Sequence, residues 1–369
     1  MGLSDLENLA YTLCTTLARR LGEDMMSIFY DILLTIPQVG INTLKFKLND
    51  GYEIPAVSLG TSLGHLSDGT RIISVNNSLA MAVEWALGAG YRHIDTASLY
   101  RTEDEVGIAI RRFMADNNIP RQDIYVTTKL WNDAHNQKDV VPALKRSLEA
   151  LKLDYVDLYL IHFPMAYAKD GSISDVDYLE TWRGMEEAKR LNLTRSIGVS
   201  NFNSTQLARL YQNATIKPAV LQIEVNPSIA ELGQVEWCKA RGIIVMAYSP
   251  FGAILGRKSD AIGPKADDPT FLRLSQKYGK TVPQILLRYL LDRGIVAIPR
   301  STNKQRIEQN IDLFDFSLTP KEVTDLNAMN VNYRLRVLAK WYSHPYFPYE
   351  KKNLTTEQIQ YLIDNSKED

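Results

Sequence analysis

The chain has 369 residues, 45% of them hydrophobic and 23% charged, the balance of a globular protein with enough apolar material for a large core. Forty-two Lys and Arg oppose 43 Asp and Glu, which argues against nucleic acid or an anionic membrane as partner and for a small molecule. Cys14 and Cys238 stand far apart without metal-ligand spacing, so a disulfide framework is not expected and a reducing, cytoplasmic setting is.

Residues 1–40 read as an amino-terminal extension. Leu3, Leu6, Leu9, Leu13 and Leu17 recur as on one face of an amphipathic helix, and Asp5 and Glu7 stand where a secretory signal would carry basic residues. No apolar run of about 18 residues occurs, so no membrane span is expected. Residues 44–55 alternate on both sides of Asp50 and Gly51, which predicts a β-hairpin with a two-residue turn opening the folded domain.

From residue 57 short apolar or β-branched runs alternate with longer segments of helical period. Strands are predicted at 57–59, 91–94, 124–128, 156–161, 196–199, 219–223, 243–247 and 296–298. Helices are predicted at 78–87, 103–116, 138–151, 178–191, 204–211, 228–240 and 282–292. Eight strands with helices between them, over roughly 250 residues, predict an α/β fold, the (β/α)8 TIM barrel. The hairpin is expected at the barrel bottom, with long loops at the carboxyl-terminal face. A doubly wound sheet is the rival, but it would place G-x-G-x-x-G after its first strand, and residues 59–64, LGTSLG, have another glycine spacing. The barrel is assigned to 41–350 and a polar tail to 351–369.

Barrel chemistry gathers where strands end. Asp95 and, five residues later, Tyr100 follow the second strand; Lys129 ends the third and His162 the fourth. Ser200 and Asn201 end the fifth, Gln222 lies on the sixth and Tyr248 ends the seventh. Arg300, Ser301, Arg306 and Asn310 follow the eighth. A tyrosine with its ordinary pKa of about 10 is a weak acid at neutral pH. A neighbouring ammonium lowers that value, an Asp holds the ammonium in place, and a His can hydrogen-bond a substrate oxygen. The set suits proton delivery to a carbonyl oxygen becoming an alkoxide. No side chain supplies a hydride, so reduction needs a redox cofactor. The cationic group after the last strand, ahead of a helix N-terminus, is a candidate phosphate site.

These residues carry a resemblance to the aldo-keto reductase family from about Lys45 to Tyr349. GYRHIDTASLY (90–100), TTKLW (127–131) and LIHFP (160–164) resemble the segments bearing its catalytic residues. IGVSNFN (197–203), QIEVNP (222–227), AYSP (247–250) and IPRSTNKQRIEQN (298–310) resemble its cofactor segments.

The resemblance implies NADPH-dependent reduction of an aldehyde or ketone with Tyr100 as proton donor. Lys129 and Asp95 would then tune Tyr100, and His162 would orient the carbonyl. Ser200, Asn201 and Gln222 would bind the nicotinamide carboxamide, Tyr248 would stack on its ring, and Gly60 and Thr61 would belong to the cofactor site. Arg300, Ser301, Arg306 and Asn310 would hold the adenosine 2'-phosphate and adenine. Many relatives carry Lys at the position of Arg300, which keeps the charge and adds a planar fork suited to phosphate. Many carry Glu at the position of Gln309, which is left out of the set. A monomer is expected, by resemblance and for want of a coiled-coil heptad.

Trp131, Leu99 and Phe163 stand next to the proposed catalytic residues and are expected to wall a substrate pocket. The aromatic string at 341–349 resembles the family's carboxyl-terminal segment and is expected to pack against the barrel. The glycine-rich segment 251–268 is read as a clasp over the cofactor. His65, His93, His135, His162 and His344 show neither H-x-H nor H-x-x-x-H spacing, so no metal site is expected. The alternative to an enzyme is a cofactor-sensing or structural barrel with little turnover, a role the same barrel also fills in the family. A hydrolase or isomerase ranks last, because apart from Asp95 the strand ends hold neutral or cationic groups.

Overall fold

The computed structural model describes residues 44–64, 72, 74, 77–256, 261–336 and 341–349. The expected amino-terminal extension and polar tail lie outside the described residues.

β1 (Lys45–Lys47) and β2 (Glu53–Pro55) form the antiparallel hairpin. Its turn is one residue longer than predicted. Lys47 pairs with Glu53, and Leu48 N donates to Tyr52 O at 2.8 Å, so Asn49, Asp50 and Gly51 make the loop. Gly51 takes φ +93°, which a side chain would resist, as the last residue of a three-residue hairpin loop commonly does.

Eight strands follow: β3 (Leu59–Gly60), β4 (His93–Asp95), β5 (Tyr125–Leu130), β6 (Val156–Ile161), β7 (Thr194–Ser200), β8 (Val220–Glu224), β9 (Ile244–Tyr248) and β10 (Val296–Ile298). Each pairs in parallel with the next. A parallel bridge between Val57 and Ala297 joins the first edge to the last, with Gly60 N donating to Pro299 O at 2.9 Å. The ring is thereby the predicted (β/α)8 barrel.

The crossovers are α1 (Ser78–Gly88), α2 (Glu103–Asn117), α3 (Gln137–Leu151), α4 (Tyr178–Arg190), α5 (Ser204–Asn213) and α6 (Leu232–Lys239). After β9 come α7 (Pro269–Tyr278) and α8 (Val282–Asp292); after β10 come α9 (Lys304–Ile311) and α10 (Pro320–Asn327). The helix expected from residue 228 starts at Leu232, because Asn226 and Ile229 exchange backbone hydrogen bonds and Asn226 Oδ1 accepts from Ser228 N, closing a turn first. α7 and α10 begin on a proline preceded by a capping Asp268 or Thr319, a start signal legible in the sequence.

Strand alternation divides the core in two. Outward residues such as Val126, Ile161 and Val199 pack under the helices with Val106, Leu144 and Met185. Inward residues Tyr125, Leu158, Leu160, Val220, Met246, Val296 and Ile298 fill the barrel, and Leu48 and Ile54 of the hairpin cluster with them, closing the bottom. Full burial of each such aliphatic side chain contributes about 1.5–3 kcal/mol. Close approach demands glycine at two points. A Cβ on Gly107 of α2 would lie 2.1 Å from Leu151 O at the end of α3, and one on Gly198 of β7 would lie 2.8 Å from Leu160 Cδ2.

With the bottom plugged by apolar groups, inward polar side chains are left to the other end. Asp95 and Lys129 are the last inward residues of β4 and β5. His93 lies one layer deeper, with Nε2 2.8 Å from Thr127 Oγ1 and Nδ1 3.3 Å from Pro55 O. Burial holds its pKa down to about 3, so it is a neutral packing residue at ordinary pH.

Candidate active site

Lys129 has no exposed surface, and burial alone would lower its pKa. Asp95 and Tyr100 outweigh burial and raise it, so the side chain is an ammonium ion at neutral pH. Its three N–H groups are all used: Nζ donates to Asp95 Oδ1 at 2.6 Å, to Thr96 O at 2.9 Å and to Tyr100 Oη at 3.3 Å. The cation also lies 5.0 Å from the centre of the Tyr100 ring. Tyr100 reaches this place from a single turn of 3₁₀ helix, Ser98–Tyr100, pinned to β5 by Ser98 Oγ donating to Lys129 O at 3.0 Å.

His162, just past β6, presents its ring edge-on to Tyr100, with centroids 5.7 Å apart. All four residues of the predicted quartet therefore share one rim. Trp131 meets His162 edge-on at 5.3 Å and Phe163 at 6.2 Å, and Trp341 lies 5.8 Å from Trp131 and 5.0 Å from Phe163. Trp131 and Phe163 thus form an apolar wall beside the quartet, joined by Trp341 from the aromatic string. Leu99 is half-buried in the Tyr100 turn and stands outside this aromatic cluster.

Ser200 and Gln222 are register partners on β7 and β8. Gln222 Nε2 donates to Asp95 Oδ2 at 2.7 Å, so both oxygens of the Asp95 carboxylate are occupied. Asn201, at φ +60°, is heavily engaged. Its Nδ2 donates to His162 O at 2.9 Å and to Ser200 Oγ at 3.1 Å, while Oδ1 accepts from Tyr248 Oη at 2.7 Å and Tyr349 Oη at 3.0 Å. Tyr349 and Trp341 are the residues whose individual places the sequence did not reveal.

Gly60 and Thr61 follow β3. Thr61 is fully buried, and both its N and Oγ1 donate to Asp95 O, at 3.0 Å and 2.9 Å. Arg300 Nη1 donates to Leu63 O at 2.5 Å, bringing the loop after β3 against the end of β10. Ser301 Oγ and Asn303 build the start of α9, where Asn303 Oδ1 accepts from Arg306 N at 3.0 Å. Arg306 is exposed, and Asn310 is buried one turn on. Arg300 and Arg306 thus bracket a helix N-terminus, the donor set for a phosphate. Burial and the nearby Arg336 guanidinium both hold Arg300 below the usual arginine range. Arg336 was not anticipated. Its segment is tied down by buried Glu224, which accepts from Leu335 N at 2.9 Å and Arg336 N at 3.0 Å.

Part of the expected clasp, 251–256 and 261–268, is described. Ala253, Ile254 and Ala261 are buried, and Ala266 N donates to Ile254 O at 3.0 Å, so these parts fold back on each other. Among the described residues no group of three or more His, Cys, Asp or Glu is placed to hold a metal ion.

The aldo/keto reductase family model matches residues 57–331. The chain is 52% identical over 303 residues to the aldo-keto reductase AKR2E4 of Bombyx mori, covering 82% of this chain and 97% of that protein. It is 39% identical over 300 residues to human aldo-keto reductase family 1 member A1, covering 78% and 89%. The crystal structure of the Bombyx mori AKR2E4 enzyme in complex with NADP superposes with a TM-score of 0.80 at 50% identity, covering 84% of this chain and 100% of that one. The structure of AKR2E5 complexed with NADPH, from the same silkworm, gives 0.82 at 40% identity, covering 86% and 97%. On the barrel, the quartet and these matches together, the chain belongs to the aldo/keto reductase family.

Proposed function

We propose that the chain reduces an aldehyde or ketone to the alcohol with NADPH, and that Tyr100 gives the proton. The observation that carries this reading is the buried Lys129 ammonium shared among Asp95, the Thr96 carbonyl and the Tyr100 hydroxyl. A phenol is a useful acid near pH 7 only where its anion is stabilised. A cation 3.3 Å away in a site of low dielectric does that, and Asp95 makes the buried cation tolerable.

When bound, NADPH supplies a hydride to the carbonyl carbon. Tyr100 Oη transfers its proton to the carbonyl oxygen, and the phenolate left behind stays paired with Lys129. His162 orients the carbonyl by a hydrogen bond, and Trp131, Phe163 and Leu99 exclude water from the pocket. Ser200, Asn201 and Gln222 recognise the carboxamide, Tyr248 stacks on the nicotinamide, and Gly60 and Thr61 border it. Arg300, Ser301, Arg306 and Asn310 hold the adenosine phosphate and adenine. The donor set fits: Gln222 keeps one amide oxygen to accept and Ser200 one hydroxyl to donate, the complement of a carboxamide.

Residues 41–350 are read as the catalytic barrel, working as a cytoplasmic monomer, a reading supported by two cysteines without disulfide or metal spacing and by the lack of a coiled-coil heptad. Sedimentation at several concentrations tests the monomer. Among the described residues no helix is long and apolar enough to cross a membrane. Binding without turnover, the alternative, is not favoured, because the proton-delivering set is complete.

The deciding experiment is NADPH consumption over a panel of aldehydes and ketones by wild type and Tyr100→Phe. A general acid contributes about 10²–10⁴-fold, so kcat falls by that factor while the Kd for NADPH holds. Equal rates in the two proteins would remove Tyr100 as the acid.

A further inference from the structure

Gln222 and Asp95 come from opposite parts of the barrel wall, β8 and β4, and are 2% and 3% exposed. At 2.7 Å the amide nitrogen of Gln222 meets Asp95 Oδ2, while Asp95 Oδ1 holds Lys129 at 2.6 Å. An ionised carboxylate only accepts hydrogen bonds. The Gln222 amide, whose two ends are otherwise hard to tell apart, is therefore held with nitrogen toward Asp95 and Oε1 left as its remaining acceptor. Its register partner Ser200 has an Oγ that accepts from Asn201 Nδ2, which leaves the Ser200 hydroxyl hydrogen free to donate.

We infer that Asp95 is a positioning residue for the cofactor as well as for Lys129: through Gln222 it fixes which amide atom faces the nicotinamide carboxamide, so cofactor recognition and phenol acidity are linked by one carboxylate. The inference rests on the NADPH reading above and goes beyond it. The coupling is reciprocal, as any coupling free energy between two sites must be. A donor on Oδ2 disperses negative charge that Lys129 and Tyr100 would otherwise feel. Loss of that donor makes the field at the phenol more negative and raises its pKa.

The test is a double-mutant cycle read by NADPH binding, with Kd from quenching of intrinsic fluorescence in wild type, Asp95→Asn, Gln222→Met and the double variant. In Asp95→Asn the oxygen of the new amide stays with Lys129 and its nitrogen opposes the Gln222 nitrogen, which forces the Gln222 amide to turn over. Asp95→Asn is expected to weaken NADPH binding at least fivefold in the wild-type background and less than twofold when residue 222 is already Met. Equal weakening in both backgrounds, or none, overturns the coupling while NADPH binding by the wild type leaves the reductase reading standing. A wild type that does not bind NADPH overturns both.

The kcat profile of Gln222→Met against pH is a second measurement that does not need Asp95→Asn to fold. Its alkaline limb is expected to move upward by about half a pH unit. A limb that stays in place while Kd rises assigns Gln222 to the carboxamide alone and overturns the link to Asp95.

Discussion

Tyr349 donates a hydrogen bond to Oδ1 of Asn201 at 3.0 Å, and its hydroxyl lies 3.4 Å from that of Tyr248. The carboxyl-terminal aromatic string thus reaches two residues proposed to meet the nicotinamide. Arg334 lies 4.4 Å over the Tyr349 ring and pairs with Glu231 at 2.8 Å, so the tyrosine is held from outside as well.

If Asn201 recognises the carboxamide, Tyr349 competes for its oxygen. Tyr349→Phe removes one donor to Asn201 Oδ1, a hydrogen bond worth about 1 kcal/mol, and keeps the ring. The expected outcome is NADPH binding tightened about fivefold, measured by fluorescence titration. Unchanged or weaker binding would show that Tyr349 does not compete for Asn201.

Lys129→Met tests the centre of the quartet. It leaves Asp95 buried with only Gln222 on its carboxylate, and removing one partner of a buried pair costs about 3–5 kcal/mol. A melting temperature lower by about 10 °C is expected, with kcat falling at least as far as in Tyr100→Phe. The folded pKa of Lys129 is raised above the ordinary lysine value, so its stabilising effect is fully present below about pH 10.4 and is lost only as pH rises through the folded value. The Lys129 ammonium therefore adds no pH dependence of its own to the wild type across neutral pH. In the variant the buried Asp95 carboxyl, without its cation, favours the protonated form, so the stability gap is expected to widen as pH rises from about 4. A gap that stays level from about pH 4 to pH 8 would contradict the pairing.

The barrel and the quartet were legible because they depend on order and period. Strand runs alternate with helical ones, and Asp95, Lys129 and His162 sit at or beside strand ends, with Tyr100 in the turn that follows β4. What the sequence left unread depends on contacts between distant segments. Gln222 reads as a cofactor contact in QIEVNP, and nothing in that string reveals a bond to a carboxylate 127 positions away. Tyr349 is one aromatic among many until the segment is seen folded over Asn201. The hairpin turn was misread by one residue because Asp-Gly serves both two- and three-residue loops, and register decides between them. α10 was missed although Thr319, Pro320 and Glu322 spell a capping box with proline at the first helical position.

That cap supports a test of stability away from the active site. Glu322 is buried, its side chain 6% exposed, which by itself would raise its pKa. Hydrogen bonds from Lys277 at 2.7 Å, Tyr278 Oη at 2.6 Å and Thr319 N at 2.9 Å more than offset burial and hold the carboxyl down to about 2, against an ordinary 4.5. A depressed carboxylate stabilises the fold above its unfolded value and loses that effect as pH falls toward the folded one. Lys277 is half exposed, so solvent screens the pair, and the Glu322 charge is worth on the order of 1 kcal/mol. Glu322→Gln keeps an acceptor for Thr319 N, because Gln also completes a capping box, and so removes the charge with little loss of the cap. Urea unfolding is expected to show the variant less stable by that amount near pH 7 and the difference closing as pH drops from about 4.5 toward 2. A difference that persists undiminished at the acid end would mean that the lost stability came from packing at the junction of α7 and α10, and that the carboxylate's charge contributes nothing there.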